Sequence, residues 1–160
     1  MLRRIAGNLV ESILLAMMVV LCIDVFLGVF SRYVMRSTFT WYDEIARLLF
    51  VWIVFLGAAV GVRRGAHFRL HLVVDRFPPG ARRAAEVLGV LAIMLLGAIL
   101  IEQGFKLVEL GQFQHTPVMG LSKRYVYGSM PAGGALIILY SLPYLWRAVT
   151  AAGPRAIQGP

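Results

Sequence analysis

Residues 32–57 read RYVMRSTFTWYDEIARLLFVWIVFLG, and this stretch decides what kind of molecule the chain makes. One apolar run ends at Val34, a short polar turn follows, and a second apolar run starts at Trp41. Arg32, Arg36, Asp43, Glu44 and Arg47 crowd around the turn. A bilayer tolerates charge at that density only where it is paired, hydrated or functional. The stretch therefore predicts a membrane hairpin with a charge cluster at its tip.

The whole chain agrees. Of its 160 residues 59% are hydrophobic and only 15% charged, and the mean hydropathy is +0.77, which excludes an ordinary water-soluble domain. The net charge of +8 does not point to nucleic acid, because the arginines flank apolar spans and no basic groove interleaved with aromatics is present. A single cysteine, Cys22, lies inside an apolar run, so neither an internal disulfide nor a cysteine metal cluster can form.

A helix needs about 20 apolar residues to cross a ~30 Å hydrocarbon core. Four spans meet that rule, at about 9–34, 41–62, 84–108 and 125–146, and the fold class is all-α integral membrane. The first begins like a secretory signal, with Arg3 and Arg4 before an apolar core, but its length exceeds a signal core of ~7–15 residues, so it reads as an uncleaved span. In the third, Glu102 and Lys106 stand i,i+4 and support one helix continuing into water. Residues 63–83 connect the second and third spans as a cytoplasmic interfacial segment in which arginines and histidines interleave with Phe68, Leu70 and Phe77. Lysine and arginine are retained on the cytoplasmic side. Arg3 and Arg4, the six arginines of 63–83, and Arg147 with Arg155 place both termini there.

The candidate functional residues are structural or subunit-docking ones. At the hairpin tip, Thr40 and Asp43 fit a helix-capping pattern. Glu44 and Asp43 both lie within reach of Arg47 along the helix, and Arg32 reaches a carboxylate from the neighbouring span. A structural clasp and a docking surface for another subunit both fit this cluster. Asp24 is the one acid in the middle of a span, and a contact with Arg47 or with a polar group of a partner would satisfy it. Gly57, Gly61 and Gly65 recur every fourth residue, a strip that lets helix backbones approach. Pro131 and Pro143 imply a kink in the last span. His67 and His71, with Asp75 four residues further, offer too few oriented ligands for a metal, and no mid-span histidine suits a haem. No nucleophile-elbow, zinc-protease or phosphate-loop motif occurs.

Arg32-Tyr33, Trp41, Asp43-Glu44, Ala46-Arg47, Phe50, Trp52 and Phe55-Leu56-Gly57, followed by His67, Val74-Asp75, Thr116-Pro117, Tyr127 and Pro131, make the chain resemble the small membrane subunit of tripartite ATP-independent periplasmic (TRAP) transporters. The resemblance covers most of the chain. Asp43 departs modestly from the pattern, where a second glutamate is common, and keeps the acid. The resemblance implies a bacterial inner-membrane complex without cofactors. In it a periplasmic solute-binding receptor delivers a small organic acid to a large membrane subunit that moves it with sodium. The small subunit sits in membrane lipid as a non-catalytic scaffold. Two other classes stay open: a stand-alone exporter using Asp24 as its proton-coupled carboxylate, and the membrane anchor of a respiratory enzyme.

Overall fold

The computed structural model of the protein describes residues 2–34, 41–65 and 79–150. Among these residues five helices follow in order: α1 (Leu2–Tyr33), α2 (Trp41–Arg63), α3 (Pro79–Gly111), the single turn α4 (Arg124–Tyr127) and α5 (Ser129–Thr150). Four stretches are long and apolar enough to cross a membrane, Leu9–Tyr33, Trp41–Arg63, Val87–Gly111 and Arg124–Trp146. They coincide with the expected spans to within a few residues. The helices outrun two of those spans, because α1 begins at Leu2 and α3 at Pro79. Pro79 suits a first helical position, where a missing N–H costs nothing. Residues 79–83, expected in the interfacial connection, are thus helical.

The spans form a row rather than a closed bundle. α1 packs on α2, α2 on α5, and α5 on α3, so α1 and α3 are the edge helices. Lipid tails are as apolar as leucine, so close packing and internal hydrogen bonds hold such a row together instead of water exclusion. Glycines create that closeness. A methyl added at Gly104 would lie 2.6 Å from Pro131 Cδ, one at Gly97 2.8 Å from Ile138 Cγ1, and one at Gly111 2.7 Å from Tyr127 Cδ2. These three recur every seventh residue and make α3 one smooth ridge against α4 and α5. Adjacent glycines on α5 serve opposite neighbours: a methyl on Gly133 would lie 2.7 Å from Phe55 Cβ of α2, and one on Gly134 2.7 Å from the Gly97 carbonyl oxygen of α3. Ala59 and Val62 of α2 meet Ile137 and Tyr140 of α5 in the buried centre.

Hydrogen bonds fix the register of α4 and α5 on α2. The Trp52 indole N–H donates to the Tyr125 carbonyl at 2.9 Å, and the Tyr144 hydroxyl donates to the Arg63 carbonyl at 2.5 Å. Pro131 sits in the first turn of α5, where its missing N–H leaves no helical bond unmade. α5 runs on through Pro143, and the break in the last span falls at Gly128, between α4 and α5.

The charged clasps at the two ends of α2

α2 carries charge at both ends, and each end is tied to a different part of the chain. At the end facing the turn, Arg32 Nη2 lies 3.7 Å from Asp43 Oδ2, with both side chains more than half exposed. This is the cross-hairpin pair anticipated for Arg32, in a loose form that solvent weakens. Glu44 has a different partner from the one expected. Its two carboxylate oxygens accept the backbone N–H groups of Val118 and Met119, each at 2.9 Å. That turn, within residues 112–123, is closed by an isolated bridge between His115 and Ser122 and by the Leu121 N–H donating to Thr116 Oγ1 at 3.1 Å. Glu44 therefore pins the loop between α3 and α4 to the first turn of α2.

Arg47 makes no ion pair in this clasp and acts on Glu44 only by its charge at longer range. It lies on an exposed stripe of α2 with Asp43, Phe50 and Val54, and it forms no ion pair among the described residues. The face of α2 toward α1 instead carries Tyr42, whose Cβ would stand 3.3 Å from a methyl on Gly28. Asp24 lies on the α1 face that meets α2, 7% exposed, and its Oδ2 has no hydrogen-bond partner. The expected Asp24–Arg47 contact is thus not made, because the two side chains occupy different faces of the hairpin.

At the far end of α2 a tighter clasp was missing from the sequence reading. Glu11 of α1 accepts from Arg63 Nη1 at 3.0 Å and from Arg64 through Nη2 at 2.7 Å and Nε at 3.2 Å. Arg63 is partly buried, its side chain 18% exposed. The bond to Glu11 pushes the Arg64 guanidinium further up from its usual range, so it stays charged. The register of the hairpin held the signal: twenty-one residues along α1 from Arg32 and twenty-one along α2 from Asp43 arrive at Glu11 and Arg64. Just beyond, Gly65 closes α2 in the left-handed conformation, φ 69°, as C-terminal glycines do.

The remaining candidates divide. Tyr33 is 77% exposed, and Trp41 stacks on Tyr42 with ring centroids 3.8 Å apart. Gly57 would meet nothing within 4 Å if it gained a methyl and Gly61 is half-buried, so the expected strip is not a close-packed seam inside the chain at Gly57. Pro131 packs on Gly104. Thr40, Arg36, His67, His71 and Asp75 lie outside the described residues. Among the described residues no group of three metal-binding side chains gathers.

Comparison with known proteins places this arrangement. The chain is similar to the sialic acid TRAP transporter small permease protein SiaQ of Vibrio cholerae, 27% identical over 89% of this chain and 82% of that one. It is 26% identical to the ectoine TRAP transporter small permease protein TeaB of Halomonas elongata, over 87% of this chain and 72% of the other. It is also similar to the sialic acid TRAP transporter permease protein SiaT of Haemophilus influenzae, 24% identical over 69% of this chain but only 18% of that longer polypeptide. Residues 17–151 match the model of a family described as tripartite ATP-independent periplasmic transporters, DctQ component. With four apolar spans and a match over most of its length, the chain belongs to that family and is a multi-pass protein of the inner membrane.

Proposed function

We propose that the chain is the non-catalytic small membrane subunit of a sodium-coupled, receptor-dependent transporter importing a small organic acid, and that it acts as a fixed brace for the large membrane subunit. The observation that carries this reading is the pinning of α2 at both ends, by Glu44 to the 112–123 loop and by Glu11 through Arg63 and Arg64. A helix held at both ends and packed between α1 and α5 moves only with its neighbours. A carrier that rocks or slides needs such an unmoving body beside it. The sialic acid and ectoine specificities in the names of SiaQ and TeaB agree with a small organic solute. Both termini face the cytoplasm in this reading, with the receptor on the side of the 112–123 loop.

The test is reconstitution. Uptake into proteoliposomes is expected only when this chain, the large subunit, the receptor and an inward sodium gradient are all present. Transport by this chain alone would overturn the proposal. The buried Asp24 Oδ2, without a hydrogen-bond partner, favours one competitor, a proton-coupled exporter, which predicts such transport and its loss in Asp24→Asn.

A further inference from the structure

The two edge helices each leave a face uncovered, and the faces differ in chemistry. That of α1 is apolar throughout, with Leu15, Val19, Ile23, Phe26 and Phe30 exposed, a surface that acyl chains satisfy. That of α3 begins alike, with Leu91, Leu95 and Ile99 exposed. It then carries Glu102 and Lys106, joined at 2.7 Å with side chains 67% and 58% exposed. Leu110, 60% exposed, follows on the same stripe, since steps of three and four residues keep one helical face.

This ion pair is not at the end of the membrane-crossing layer. Gly97 packs across Gly134 and Gly104 across Pro131, so Glu102 stands level with the first turns of α5, where Gly133 abuts Phe55. Phe55 lies fourteen residues from Trp41 and eight from Arg63, roughly 21 Å and 12 Å along the axis at ~1.5 Å per residue. At that level the α1 side of the row is still apolar. Charge facing acyl chains there is unfavourable, and simple emergence into water does not account for Leu110 and Phe113, 80% exposed, beyond it.

We infer that the outward face of α3 between Leu91 and Leu110 is the seat of the large membrane subunit, whose matching stripe presents an apolar zone to Leu91, Leu95 and Ile99 and hydrogen-bonding or charged side chains to Glu102, Lys106 and the exposed Glu109 on the same face. The inference rests on the proposed subunit role. In SiaT, a stretch similar to this chain shares one polypeptide with a much longer remainder, so a permanent neighbour has a parallel in that protein.

Site-specific photo-crosslinking tests the assignment. A benzoylphenylalanine replaces Leu95 or Ile99 on α3, or Val19 or Phe26 on α1, in the full chain co-expressed with its large subunit. Adducts to the large subunit are expected from the α3 positions and not from α1. Adducts from α1 alone, in a complex that still co-purifies, overturn this inference and leave the subunit role standing. Failure of the unaltered chain to co-purify overturns both. A second variant, Glu102→Lys with Lys106→Glu, keeps an ion pair and the net charge while reversing what α3 presents. Its recovery with the large subunit is expected to fall roughly tenfold, as for mismatched interfacial charge, with unchanged thermal unfolding of the chain alone. Undiminished recovery overturns the inference, because the pair then serves only its own helix. A spin label at Ile99 that reports equal lipid contact with and without the large subunit overturns it as well.

Discussion

Glu11 and Glu44 are carboxylates of the same hairpin and are held in different ways. Glu11 meets two guanidiniums, one of them partly buried, so Glu11→Gln leaves Arg63 without its counter-charge. The melting temperature of the purified chain in detergent is expected to fall by roughly 3 °C, the shift of about 1 kcal/mol in a protein of this size. Asp43→Asn, which removes only the exposed Arg32 pair, is expected to shift it far less. Glu44 accepts two backbone N–H groups, and Glu44→Gln can accept them only with its one amide oxygen. Hydrogen exchange at Val118 and Met119 should then quicken roughly tenfold, with little change elsewhere; unchanged exchange would mean that the turn holds itself. The sequence showed that Arg32, Asp43 and Glu44 gather at the tip, since neighbours along a helix and across a short turn are fixed locally. It did not show the partner of Glu44, which lies more than seventy residues away, and it passed over Glu11 because a lone acid early in an apolar run has no local partner.

Among the elements, the four spans were legible because length and hydropathy are properties of a segment by itself. The seams between them were not. Glycine spacing on α2 suggested a packed strip, yet the close approaches occur at Gly97, Gly104, Gly111, Gly133 and Gly134, and only the order of helices in the row decides which glycines face a neighbour. Substitution separates the two sets. Gly104→Ala places a methyl 2.6 Å from Pro131 and is expected to destabilise the chain by about 1–3 kcal/mol, the usual cost of overpacking. Gly57→Ala meets nothing within 4 Å, and with alanine the better helix former it should leave stability unchanged or raise it by about 0.5 kcal/mol. Thermal unfolding of both variants in one detergent checks the contrast, and equal losses would contradict the packing described.

For the whole molecule, the distribution of arginine makes a claim independent of packing. Reporter fusions after Arg36 and after Gln114 are expected to read out on the periplasmic side and one after Arg76 on the cytoplasmic side; the reverse pattern would invert the proposed topology and move the receptor to the opposite end of the row. The order of the row also bears on how the protein is made. α1 and α2 leave the ribosome consecutively and can pair at once. α3 follows with its glycine ridge bare, because its partner α5 is synthesised last and must enter between α2 and α3. Until then the two halves meet only through the bonds of Glu44 to the 112–123 loop and of Trp52 to Tyr125, so a nascent chain halted before Ser129 should hold a formed hairpin tied to α3 at one end alone, and the row closes only when the final span slides into its centre.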